Sequence, residues 1–369
     1  MITGEYPWQP GGVSDYSRLV AKGLVEAGDA VHVWAPKGLV ESPDDRGVEV
    51  HRLPGNFGPR ALADLDCALG RVRPDRILLQ YAPHAFGWKA MNLPLCLWLS
   101  SSRRQPVWTM FHEVAYPLGW QQWPRHNLLG LVTRAMASMV ARASQKIFVS
   151  SKAWEPLLQR LSFGRKKKMV WLPVPSNLPS NVCAAASAAT KACRSGTLMG
   201  HFGTFGKNTI SILEPVIVRL LIADINRTMM LAGRGAERFA SQLGRRFPQT
   251  AERLITNENC SIERLALALA NCDILIQPYI DGVSGRRTTA MTGLALHSAI
   301  VTNAGASTES LWAESEAVAL APTASPSSLI DAAEALLDDR ARRAALGARA
   351  FELYKGRFAL EHTLRELSA

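Results

Sequence analysis

Short apolar runs alternate with amphipathic stretches along almost the whole chain. The runs that read as strands are AVHVWAP (30–36), VEVHRLP (48–54), RILLQYAP (76–83), PVWTMFHE (106–113), KIFVSS (146–151) and MVWLPVP (169–175). A second series comprises TLMGHFG (197–203), TMMLAG (228–233), DILIQPY (273–279), AIVTN (299–303) and AVALAP (317–322). Between them lie helical patterns such as VSDYSRLVAKGLVEAG, LEPVIVRLLIADI and IERLALALANC. This alternation predicts an α/β protein with parallel sheets covered on both faces. Ligands of such sheets bind beyond the carboxyl ends of the strands.

The pattern lapses once, in PVPSNLPSNVCAAASAATKACRSG (173–196), which is rich in Pro, Ser and Ala. The expected organisation is a first α/β domain over 1–178, a linker over 179–196 and a second α/β domain over 197–350. A helical tail over 351–369 is expected to pack back on the first domain. Gly347 and Gly356 are read as helix caps or kinks. Only Met1, Ile2 and Thr3 precede Gly4, where a central strand of about five residues is usual, so the chain is expected to begin late.

The 369 residues carry a net charge of +11, with 47% hydrophobic and 20% charged residues. Disorder is excluded by that balance. The positive charge favours anionic partners (nucleotides, phospholipid headgroups, acidic glycans or nucleic acid) without choosing among them. Six cysteines without a C-x-x-C pair read as reduced core thiols, not as a disulfide framework or a cysteine zinc site. The longest apolar runs, such as LPLCLWL, are too short to span a bilayer. A cytoplasmic protein is expected, at most peripheral on the inner membrane face.

Four stretches are candidates for chemistry. DGVSGRRTTAM (281–291) leaves an apolar strand and places Arg286 and Arg287 at an expected helix start. Positive charge there opposes the helix dipole, and a bound phosphate would reverse the penalty. GEYPWQPGGVSDYS offers Gly11-Gly12 as a loop that a ligand can approach closely, with an ordinary capped turn as the plainer reading. WTMFHE ends a strand in His112-Glu113, fitted for hydrogen bonding or proton transfer. LAGRG places Gly233, Arg234 and Gly235 after a strand. It fails as a dinucleotide fingerprint: Arg238 holds the third glycine position, and no acidic residue is evident at the end of the next strand. GRKKKMVW (164–171), with Trp154, Phe163 and Trp171 nearby, is a candidate for anionic lipid or a plain solvated loop. The Asp-Leu-Asp at 64–66 falls inside a helical pattern and is discounted as a metal motif.

In order and spacing, GEYPWQPGGVSDYS, FHE, GHFGTFGKN, LAGRG, CDILIQPYIDG and AIVTNAGASTE resemble the retaining glycosyltransferases of family four. The resemblance implies the GT-B architecture: two facing Rossmann-like domains with parallel sheets and an interdomain cleft. It implies a nucleotide-sugar donor on the second domain and a glycan, lipid-linked or small-molecule acceptor on the first, with no nucleic-acid partner. Sugar would move with retention, and no metal or cofactor would be needed. His112, Asp281, Arg286 and Arg287 would be the catalytic set. Gly203, Thr204, Lys207, Gly233, Arg234, Gly235, Gly282, Val283, Ser284, Thr288 and Thr289 would contact the donor. Gly11, Gly12, Asp15, Tyr16 and Glu113 would form the acceptor-side loop. The chain departs from the family twice. Thr289 stands where the second Glu of the Glu-x7-Glu hallmark is expected, Asp281 taking the first, and Thr204 stands where the family carries Arg. Arg286 and Arg287 are expected to meet the diphosphate instead. Two other readings stay open: a nucleotide- or glycan-binding relative without transfer, and an NAD(P)-dependent oxidoreductase.

Overall fold

The computed structural model describes residues 1–368 except 8, 10, 39–44, 102–104, 163–166 and 180–194. The described chain forms two compact units, Met1–Pro173 with Leu360–Ala369, and Val174–Ala359. Each is an α/β unit built on a wholly parallel sheet.

The first sheet holds β1 (Ile2–Thr3), β2 (Val31–Pro36), β3 (Val48–Leu53), β4 (Ile77–Tyr81), β5 (Val107–Phe111), β6 (Lys146–Val149) and β7 (Met169–Trp171). Their order is β3-β2-β1-β4-β5-β6-β7. Although only two residues long, β1 is central: Ile2 pairs with Trp34 of β2 and Leu79 of β4. Both faces of β4 are covered, so ILLQY is buried throughout and its sequence shows no alternation. The core below it joins Ile2, Trp34, Leu79 and Phe111 to apolar residues of helices Pro59–Val72 and Pro124–Ala143.

The second sheet holds β8 (Thr197–Phe202), β9 (Arg227–Ala232), β10 (Leu254–Asn257), β11 (Ile274–Gln277), β12 (Ile300–Asn303) and β13 (Ala319–Ala321). Their order, β10-β9-β8-β11-β12-β13, is that of a dinucleotide-type doubly wound sheet. In both sheets the order reverses beside the first strand, at β1/β4 and at β8/β11. Loops diverge there and leave a crevice at the strands' carboxyl ends.

The boundaries differ from those read off the composition. Val174 already donates to the Gly285 carbonyl at 2.8 Å, and the Ser176 amide donates to the Tyr354 hydroxyl at 3.3 Å, so this stretch is part of the second unit. The chain returns to the first unit at Leu360. Helix Leu360–Ser368 lays Leu364 against Gly23 of helix Gly12–Glu26, and Arg76 donates to the Leu367 carbonyl at 2.6 Å.

Of the two tail glycines, Gly356 lies in a π-helical turn, Tyr354–Phe358, before the last helix. Gly347 is no break. Helix Arg340–Leu353 runs through it, and a Cβ there would collide with the His297 carbonyl. Gly347 is needed for close approach of two backbones, which composition alone cannot distinguish from a cap. Among the described cysteines, Cys96 and Cys272 are buried, Cys260 is half-buried and Cys67 is exposed, so the expectation of core thiols holds only in part. No helix among the described residues is long and apolar enough to cross a membrane.

Candidate functional site

The second unit gathers the larger group of candidates at the carboxyl ends of β8, β9, β11 and β12. The loop after β11 is pinned at nearly every residue. Asn303, ending β12, accepts the Tyr279 amide at 2.9 Å and returns a hydrogen bond to the Tyr279 carbonyl at 2.7 Å. Val283 donates to the Asn303 carbonyl at 2.9 Å, and Gly285 donates to the buried Glu309 carboxylate at 3.0 Å. Gly282 has φ +88°, and a Cβ there would strike Thr308 and Gly305, so no other residue fits. The loop is thus preorganised before any ligand arrives.

Asp281 sits at its centre, about one-third exposed. Its carboxylate accepts from Arg286 at 2.7 Å, from Arg287, and from the Ser307 hydroxyl at 3.1 Å. The Arg287 guanidinium also lies 4.7 Å from the centroid of the Tyr279 ring. This corrects the reason for expecting a phosphate. Helix Thr288–Ala295 begins after the arginines, with Arg287 at its cap, and Asp281 already offsets their charge. Their penalty at the helix start is therefore relieved within the chain. What remains is two guanidinium groups held side by side at a strand's carboxyl end, a fork that suits a diphosphate.

Thr289 shares a hydrogen bond of 2.7 Å with the Tyr279 hydroxyl, and burial raises that phenol to about 12. Thr288 opens the helix, while Val283 and Ser284 are buried, the Ser284 hydroxyl without a protein partner. Gly203 and Thr204 follow β8, and Lys207 is the exposed first residue of helix Lys207–Ala223. A Cβ at Gly203 would come within 3.3 Å of His201 Nε2. His201 Nδ1–H donates to the Ile276 carbonyl at 2.8 Å, and burial lowers this imidazole to about 4, so it is neutral.

Gly233, Arg234 and Gly235 form the turn after β9, with Gly233 and Gly235 at φ +105° and +90°. The expectation that no acidic residue ends the next strand is wrong. Glu258 directly follows β10 and accepts the amides of Gly235 at 2.9 Å and Glu237 at 3.0 Å. These donors lower its pKa. The carboxylate caps this helix N-terminus, so the Gly233–Gly235 turn presents no open anion site of the kind a dinucleotide fingerprint supplies. The arrangement therefore opposes the oxidoreductase reading.

In the first unit, His112 ends up buried just past β5, with Nε2 2.8 Å from Gln80 Oε1 and the Tyr16 ring edge-on at 4.8 Å. Burial lowers it to about 4. It is neutral, and donation from Nε2 to Gln80 leaves Nδ1 as the ring's acceptor. Gly11 and Gly12 begin helix Gly12–Glu26, and Asp15 is exposed in its first turn. A Cβ at Gly11 would meet the Glu5 carboxylate.

Sequence reading missed Glu5 and His84. His84 Nδ1 is 3.2 Å from Glu113 and its Nε2 3.8 Å from Glu5, joining the ends of β1, β4 and β5. The hydrogen bond to Glu113 raises the His84 pKa. The signal was available, since His84 follows a strand just as His112 does. Glu309 was missed although it closes the quoted AIVTNAGASTE. Of the basic segment, residues 164–166 lie outside the described residues. Lys167 caps the end of helix Pro124–Ala143, donating to the Ala141 carbonyl at 2.7 Å.

Residues 11–175 match the glycosyl transferase 4-like domain family. That match lies almost wholly in the first unit, and over its whole length the chain shares its fold with solved glycosyltransferases. Sucrose-phosphate synthase from Thermosynechococcus elongatus matches it with a TM-score of 0.75 at 16% identity, over 99% of this chain and 93% of that one. WaaG, a glycosyltransferase involved in lipopolysaccharide biosynthesis, matches with a TM-score of 0.64 at 14% identity, over 96% and 94%. HepE from Anabaena, solved in complex with UDP-glucose, matches with a TM-score of 0.66 at 15% identity, over 98% and 96%. No curated protein matches the chain in sequence. In the second unit the loop 278–287 is tied by hydrogen bonds to Asn303, Ser307 and Glu309.

Proposed function

We propose that this chain transfers a sugar from a nucleoside-diphosphate sugar to an acceptor hydroxyl, with retention and without a metal in the transfer step. The observation that carries the reading is the paired guanidinium fork of Arg286 and Arg287 on Asp281. It stands on a pinned loop beside the β8/β11 switch point. UDP is the first nucleotide to test, because HepE was solved in complex with UDP and with UDP-glucose.

In this mechanism the diphosphate competes with Asp281 for the two arginines. A dianion offers more charge and more acceptor oxygens than one carboxylate, so the fork turns to it. Asp281, released, accepts hydroxyls of the donor sugar. The C–O bond to the diphosphate breaks, and negative charge grows on the departing oxygen. Arg286 and Arg287 stabilise it from fixed positions, which is where electrostatic catalysis is most effective. That oxygen takes the proton of the attacking acceptor hydroxyl on the same face, so configuration is retained. In the first unit, His112 Nδ1, neutral at physiological pH, is an acceptor for a hydroxyl of the acceptor substrate and adds no charge.

Calorimetry with UDP, GDP, ADP, dTDP and NAD(P) tests the reading. Selective binding of one nucleoside diphosphate, lost in Arg287→Ala, supports it. Nucleotide binding with no hydrolysis or transfer of the matching nucleotide-sugar identifies a binding protein instead. Binding of NAD(P) alone overturns it.

A further inference from the structure

The first sheet carries a second concentration of ligating groups that the transfer reaction does not use. His32 lies on β2, and Glu49 and His51 lie on β3, the outer strand of the sheet. The parallel register sets His32 opposite Glu49 and Trp34 opposite His51. Alternate residues share a face, so all four side chains project on the same side.

Three ligand atoms converge there. His32 Nδ1 is 3.0 Å from His51 Nε2 and 3.2 Å from Glu49 Oε2, and His51 Nε2 is 3.9 Å from Glu49 Oε2. A tetrahedral ion with bonds of about 2.0–2.1 Å holds its ligands about 3.3 Å apart. The three separations bracket that edge, so an ion fits with side-chain shifts of a few tenths of an ångström. The rings are held for it. Buried Trp34 stacks on His51 at 5.1 Å and 17°, and on His32 at 5.8 Å and 18°. Glu49 is 68% exposed, which opens the fourth position to water.

We propose that His32, Glu49 and His51 bind one divalent transition-metal ion of the zinc class, which ties the outer strand β3 to β2. Two imidazoles and a carboxylate suit zinc and its neighbours. Calcium and magnesium, which take all-oxygen shells, fit poorly. His32 is the second residue of β2, so the site lies toward the amino ends of the strands, whereas sugar-transfer ligands meet the carboxyl ends. The ion is therefore structural, and an outer strand is the one that gains most from such a tie.

The test uses the untagged full-length chain, stripped with chelator and titrated with zinc chloride in a calorimeter, with cobalt(II) as an optical substitute. One ion per chain is expected, with a zinc-dependent rise in Tm and the visible absorption of low-coordinate cobalt. His51→Asn and Glu49→Gln should each weaken zinc by at least about tenfold. Glu49 is mostly exposed, so Glu49→Gln should leave the metal-free Tm unchanged and show that the variant folds. UDP affinity should not change in either variant. Equal zinc affinity in wild type, Glu49→Gln and His51→Asn, or no saturable binding by wild type, overturns the proposal. The three groups then form only a hydrogen-bonded trio.

Discussion

Glu309 holds the amide of Gly285 at 3.0 Å, tying the segment after β12 to the loop after β11. The same carboxylate oxygen takes the Trp312 indole N–H at 2.9 Å. Glu309→Ala leaves two buried donors without this acceptor, each costing about 1–3 kcal/mol. Stability should fall by about 2–4 kcal/mol in urea unfolding. Nucleotide affinity should fall with it, because the loop carrying Asp281 and the arginines loses an anchor. Glu309→Gln keeps an acceptor oxygen and should recover much of both. An Ala variant with wild-type stability would show that the loop is held by its other bonds.

Asp281 should separate binding from transfer. Asp281→Asn removes the charge that offsets Arg286 and Arg287, so UDP should bind as tightly as to wild type or more tightly. Transfer should drop about 100-fold, because the sugar loses the group that orients it. Arg287→Ala should instead weaken UDP at least about tenfold, ~1.4 kcal/mol. Weaker UDP binding by Asp281→Asn would show that Asp281 positions the arginines and does not merely compete for them.

Gly347→Ala puts a methyl group against the His297 carbonyl inside a continuous helix. The helix must shift, at a cost of about 1–3 kcal/mol. Ordinary helix propensity predicts the opposite sign, since Ala is favoured over Gly by about 1 kcal/mol. Thermal or urea unfolding decides between them, and UDP affinity should be unchanged.

His112 and His201 make stability depend on acid. Burial lowers each to about 4 in the folded chain, below the ordinary 6.5. Between those values the unfolded chain takes up protons that the folded chain does not, so stability falls as pH falls from about 6.5 to about 4. Each imidazole contributes up to about 3 kcal/mol to that loss. His84 runs the other way. Its pKa is raised by Glu113, so its contribution is complete below about 6.5 and fades as pH rises through the folded value. Urea midpoints measured from pH 4 to 8 should show a smaller acid loss in His201→Gln than in wild type.

Much of the fold is legible in the pattern of apolar runs. Buried parallel strands must be apolar on both faces, so ILLQY and ILIQ stand out without help from their neighbours. The carboxyl ends of those runs also mark where chemistry can sit, and His112, Asp281, Arg286 and Arg287 lie there. Boundaries are less legible. Val174 and Ser176 fall in the first domain as read from the sequence, yet partners far along the chain, Gly285 and Tyr354, hold them in the second unit.

The sequence by itself determined the two α/β series, the strand ends that bear polar groups and an order of motifs that resembles family four. Each depends on local spacing, which a single chain displays directly. Only the tertiary structure decided who pairs with whom. Asp281 offsets the two arginines, Glu258 covers the helix after Gly235, Glu309 holds Gly285, and His32 meets His51 across two strands. Apart from the Asp281 cluster, these partners stand 19 to 24 residues apart in the chain. The sheet's crossovers bring them together, and spacing along the chain carries no trace of the geometry that a folded sheet imposes.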